Sequence, residues 1–109
     1  EQPALVAAWL RGHVSVTAWI GTNAVEAKAI LNQELARITG KPFPREVLDR
    51  AWQRMRITWD PIAPSLKASA ESAWKAGILS AMPGLDDIYD LGPINTVLRG
   101  RSLPAVKGL

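Results

Sequence analysis

Few side chains in this 109-residue chain are of types suited to bond chemistry, and their spacing keeps them apart. The single histidine, His13, falls one helical turn after Trp9, beside an apolar stripe. Such a residue suits general-base or pH-sensitive duty. The expectation here is a half-buried helix histidine with a hydrogen-bond partner. No serine lies in a nucleophile-elbow setting. No glycine-rich phosphate loop is present either, because Gly21-Thr22-Asn23 reads as a helix break. Asp86, Asp87 and Asp90 form an acidic cluster without the alternating ligands and closing glutamate of a calcium loop. Asp86 or Asp87 is expected to satisfy free backbone amides at a helix cap or turn. With no cysteine and one histidine, a zinc set cannot be assembled. The expectation is therefore no catalytic residue, no metal, no cofactor, and not an enzyme.

Binding chemistry has more to work with. Arg37, Lys41, Arg45, Arg50, Arg54 and Arg56 stand against Glu46 and Asp49, a local excess of four positive charges over residues 37–56. Interleaved with Trp52 and Trp59, this Arg37–Arg56 stretch offers a nucleic-acid face. Arg45 with Asp49, and Glu46 with Arg50, are also spaced for i,i+4 pairing on a solvated helix. That solvated face is the expected reading, and a nucleic-acid partner is the alternative. Tryptophan is over-used, at five against one Phe and one Tyr. Trp9, Trp52 and Trp74 each fall on the apolar face of a helix and are expected in the core. Trp19 flanks its stripe, and Trp59 has no assigned role.

The elements that position these residues are helices. Residues 3 to about 21 put Leu5, Trp9, Val16 and Ile20 on one stripe, with Val6, Leu10, Val14 and Thr17 beside it. The arc is wide for a surface helix. Asn23 with Glu26 predicts a capping box opening a second helix. That helix carries Ala27, Ile30, Leu31, Leu35 and Ile38 inward and ends at Gly40. Pro44 predicts the first residue of a third helix, with Val47, Leu48, Ala51, Trp52 and Met55 inward. Residues 56–60 alternate too briefly for a paired strand and predict an extended connector or edge strand. The prolines at 61 and 64 force a turn. A fourth helix is predicted from Pro64 or Ser65 to about Leu79, with Leu66, Ala70, Ala73, Trp74 and Ile78 inward. Pro93 to Arg99 predicts a short last helix with Ile94, Val97 and Leu98 inward. Residues 100–109 predict an irregular or frayed tail. There is no internal repeat. About five helices joined by short Pro/Gly loops make the chain all-α.

Composition agrees with a packed unit. Lys plus Arg number 13 and Asp plus Glu 10, a net charge of +3, and 48% of residues are hydrophobic. That share is too high for a disordered chain. No apolar run reaches the roughly 20 residues that span a bilayer. Glu1-Gln2-Pro3 leads straight into a helix pattern, so no signal peptide is expected at this end. The length fits one small domain over residues 1–109.

The order of segments adds a resemblance. Residues 8–14 (AWLRGHV) and 27–32 (AKAILN) resemble the region after the second lobe in periplasmic substrate-binding proteins for nitrate, sulfonate and taurine uptake. Residues 48–52 (LDRAW), 57–61 (ITWDP) and 64–66 (PSL) look like the aliphatic-sulfonate branch, as does the stretch 88–95 (IYDLGPIN). The likeness runs in order along nearly the whole chain. It implies the C-terminal third of a two-lobe protein of the type II periplasmic-binding-protein fold, with the N-terminal lobes missing here. The implied function is capture of a small anion and delivery to an ABC permease, in the periplasm, with this segment bracing the first lobe. The ligand contacts are expected upstream, so none is assigned here, and Trp59, Arg56 and His13 keep no assigned role. A helix apolar over so wide an arc predicts that the isolated chain self-associates.

Overall fold

The computed structural model describes residues 2–109. Among them five helices and no strand occur: α1 (Pro3–Thr22), α2 (Ala24–Thr39), α3 (Arg45–Gln53), α4 (Ala63–Lys75) and α5 (Gly92–Arg99). The all-α expectation and the helix number hold. Residues 56–60 form neither helix nor strand, and Trp59 lies in a bend. The chain divides into two compact units, Ser15–Trp59 and a second built from Glu1–Val14 with Asp60–Leu109.

In Ser15–Trp59 the turn chemistry is local. Asn23 stands at the start of α2, but its side chain makes no cap bond there. Its Nδ2 instead donates to the Trp19 carbonyl at 2.9 Å and to Thr22 Oγ1 at 3.0 Å. The predicted capping box is therefore absent, because the last carbonyls of α1 are as short of partners as the first amides of α2. Gly40 closes α2 in the left-handed region at φ 84, its N–H bonded to the Ala36 carbonyl. Only a residue without Cβ adopts that conformation freely. Pro44 precedes α3 rather than opening it, and its carbonyl accepts from Val47 and Leu48. The buried residues of this unit are Thr17, Ala27 and Leu48.

In the other unit, two aspartates prepare two helices. Asp60 Oδ1 accepts the Ile62 N–H at 2.8 Å ahead of α4, and Asp90 Oδ1 accepts the Gly92 N–H at 3.1 Å at the start of α5. These are Asx turns, in which a short carboxylate imitates a backbone carbonyl. The role expected of Asp86 or Asp87 thus falls partly to Asp90, while those two occupy a backbone turn closed by Ile88 N–H on the Leu85 carbonyl. Helix α4 stops four residues earlier than predicted. Gly77 takes φ 74, its N–H bonding the Trp74 carbonyl while Ile78 bonds Ala73. This double closure is a Schellman motif, which needs a glycine one residue beyond the cap.

The core of this unit is Val14, Ala63, Ile94, Leu98 and Val106. Ile94 and Leu98 were predicted inward, and Val106 was not. The tail after Gly100 is irregular as expected, but it is not frayed at Val106. Asn95 in α5 donates Nδ2 to the Val106 carbonyl at 3.0 Å and accepts the Val106 N–H at 2.8 Å on Oδ1.

Several predicted core faces are corrected. Leu5, Trp9 and Val16 of α1 are exposed, and the buried residues of that helix are Val14 and Thr17. Ile30, Leu31 and Ile38 of α2 are exposed, as are Val47 and Met55, and so are Trp74 and Ile78. Trp52 and Trp59 are half-buried. A helical period finds an apolar stripe, yet it does not say which of two stripes the chain itself covers. On α1 both sides are apolar, and of the flanking set Val14 and Thr17 are buried while Val6 is exposed.

Candidate functional site

A concave feature of the unit formed by Glu1–Val14 and Asp60–Leu109 is a groove of 840 Å³. It lies along the first turns of α1, α5 and the turn after it. Val6, Pro93 and Val97 supply apolar wall, and Arg11, Arg101 and Asp90 bring charge to it. A volume in the ~300–1,000 Å³ range suits a small ligand or a few side chains of a docked element. The Asp90 carboxylate is already engaged with the Gly92 N–H. What the groove offers is non-covalent: apolar contact with guanidinium groups beside it. No nucleophile and base meet there.

His13 of the same unit is not among the residues that line the groove. His13 stacks on Trp9, ring centroids 5.3 Å apart and planes 8° from parallel. The hydrogen-bond partner expected for His13 is not among the described residues; the Trp9 ring takes that place. No group of three His, Cys, Asp or Glu that could hold a metal occurs among the described residues.

In Ser15–Trp59 the basic stretch is partly neutralised. Lys28 of α2 forms an ion pair with Asp49 of α3, and Arg45 approaches the same carboxylate at 3.7 Å. The Lys28 hydrogen bond holds the Asp49 carboxyl below its ordinary range; desolvation opposes this, and the charges of Lys28 and Arg45 add to it. The predicted Arg45–Asp49 pair is therefore present at long range. Arg50 Nε reaches the Glu46 carbonyl at 3.4 Å rather than its carboxylate. Arg37 pairs with Glu34 at 2.7 Å. Arg50, Arg54 and Arg56 are exposed and form no ion pair among the described residues.

Two asparagines carry structure that spacing did not reveal. Asn32 of α2 donates Nδ2 to the Phe43 carbonyl at 3.0 Å and accepts the Phe43 N–H at 2.8 Å. It is the counterpart of the Asn95–Val106 pair. The available signal was an asparagine in mid-helix, where it is a weak helix former and usually has another bond to make. No family model, curated protein or solved structure matches the chain.

Proposed function

We propose that this chain is the C-terminal helical part of the solute-binding component of an ABC importer for a sulfonate, nitrate, taurine or a related small anion. Its work there is mechanical, bracing the first lobe, while the anion is held by groups outside this segment. The parent acts outside the cytoplasm and hands its ligand to a membrane permease.

One observation carries this reading: the chain leaves too much apolar surface uncovered to be a finished unit. Its accessible surface is 8,374 Å². A compact chain of 11.9 kDa exposes roughly 6,000 Å². Even two separate globules of the sizes of its units would together expose roughly 7,100 Å². Among the described residues nineteen large apolar side chains are exposed, against seven buried hydrophobic residues. An excess of this kind marks an interaction surface. The ordered likeness of residues 8–14 and 27–32 to the nitrate/sulfonate/taurine family, and of 48–52, 57–61, 64–66 and 88–95 to its aliphatic-sulfonate branch, is what supports a lobe of the parent as a partner for that surface. An all-helical segment agrees with a brace.

The test is a thermal-shift panel of alkanesulfonates, taurine and nitrate on the longer protein that the reading requires. A rise in Tm with at least one of them is expected, and no rise with any of them refutes the assignment. A second reading draws on exposed Arg50, Arg54 and Arg56, which have no acidic partner: nucleic-acid binding through the Arg37–Arg56 face. Affinity for DNA or RNA that falls steeply with salt would establish it.

A further inference from the structure

The 840 Å³ groove has two walls built in the same order. Helix α1 lines it with Pro3, Ala7 and Arg11, at steps of four. From α5 and the turn after it come Pro93, Val97 and Arg101, again at steps of four. Such steps keep to one helix face. Each wall is thus apolar along its first turns and ends in a guanidinium. No aromatic ring lines the groove among the described residues. All of it belongs to the unit formed by Glu1–Val14 with Asp60–Leu109.

The charge selects an anion. Arg11 and Arg101 outnumber Asp90, whose Oδ1 already accepts the Gly92 N–H. Both arginines are engaged within the chain. A guanidinium nevertheless has five N–H donors to share, and its planar fork matches the two oxygens of a carboxylate. Aliphatic walls with no ring to stack on suit an alkyl chain, and the volume is that of a small-molecule site. From Pro3 to Arg11 the helix rises about 12 Å, the extended length of roughly nine carbons.

We propose that this groove binds a straight-chain carboxylic acid of about eight to ten carbons, its carboxylate held by the guanidiniums and its tail along Val6, Pro93 and Val97. The proposal does not rest on the transport reading, in which the anion is held outside this segment. It also takes little of the surface assigned there to the first lobe. Of the large apolar side chains described as exposed, Val6 alone lines the groove.

The experiment is a titration of the 109-residue chain with sodium octanoate, followed through its backbone amides by two-dimensional nitrogen–proton NMR. Saturable one-to-one shifts are expected at Ala7, Arg11, Thr96, Val97 and Arg101. Hexanoate, two methylenes shorter, should bind about tenfold more weakly. So should 1-octanol, which has the tail without the charge. The paired change Arg11→Gln with Arg101→Gln should weaken octanoate by at least about tenfold. Val6→Asp, at an exposed position on the wall, adds a carboxylate to the groove and should do the same while far-UV circular dichroism keeps its helix signal. Ile78→Asp, outside the groove, should leave binding unchanged. Shifts that never saturate, or that spread equally over residues 15–59, overturn the proposal. So does 1-octanol binding as tightly as octanoate, or affinity indifferent to Val6→Asp.

Discussion

Asn32 and Asn95 make the same pair of hydrogen bonds in different surroundings. Each sits inside a helix, and each grips the backbone N–H and C=O of a residue eleven positions later. The amide side chain thereby imitates a neighbouring strand. The residue gripped by Asn95 is Val106, 8% exposed, in the unit that also buries Ile94 and Leu98. The residue gripped by Asn32 is Phe43, 45% exposed, in the loop of the unit whose α2–α3 ion pair is Lys28–Asp49. One unit is held by apolar burial with the clamp at its edge. The other is held by polar ties with little core beneath them. A hydrogen bond is electrostatically stronger, and its loss costlier, where water cannot replace the missing partner. The comparison therefore assigns the same geometry two different energies.

The largest test of that contrast is in the cores. Leu98 is fully buried, and Leu98→Ala should cost about 3–4 kcal/mol through lost transfer energy and the cavity left behind. Leu48, 9% exposed in the smaller unit, has more freedom to collapse around the deletion, and Leu48→Ala should cost about 2 kcal/mol. Urea denaturation followed by circular dichroism measures both. Equal losses would break the distinction between an apolar unit and a polar one.

The clamps come next. Asn95→Ala strands the part-buried N–H and C=O of Val106, and should cost roughly 2 kcal/mol. The Val106 amide should also lose its protection from hydrogen exchange. Asn32→Ala exposes the same groups of Phe43 to water, which replaces them, and should cost less than about 1 kcal/mol. A larger loss at Asn32 than at Asn95 would reverse the ranking and show that the clamp, not its setting, carries the energy.

What could be read from residue order follows the same division. Gly40 and the inward pair Ile94 and Leu98 were legible because each depends on a local rule, a left-handed cap or a short amphipathic turn. The end of α4 at Gly77 obeys such a rule too, but an apolar Ile78 just beyond it extends the helical pattern past the true stop. The buried side of α1 was not legible at all. Period analysis weighs Leu5, Trp9 and Val16 as core, and only the presence of a covering partner decides which stripe is inward. The Asn32 and Asn95 clamps join residues that no helical or strand period connects. The groove beside Arg11 and Arg101 depends on the same unreadable contact, since Arg101 reaches it through the turn after α5.

The smallest effect separates the units by pH. Asp49 titrates below its ordinary value in the folded chain, chiefly because Lys28 hydrogen-bonds its carboxylate. A carboxyl with a depressed folded pKa adds stability that is fully present above the unfolded value near 3.9 and is lost as pH falls through the folded value. The α2–α3 tie should thus be constant from about pH 7 to 5 and weaken progressively below pH 4. Hydrogen exchange of α3 amides, read against those of α5, follows it residue by residue. Asp49→Asn should remove the acid-dependent step in α3 and leave α5 unaltered. Added salt should shrink the step as well, since the pair is open to solvent and its charges are screened. The core of Val14, Ala63, Ile94, Leu98 and Val106 holds no titratable side chain that would share the Asp49 dependence. If α5 lost protection in parallel with α3 over the same pH range, the ion pair would not be what sets the two units apart.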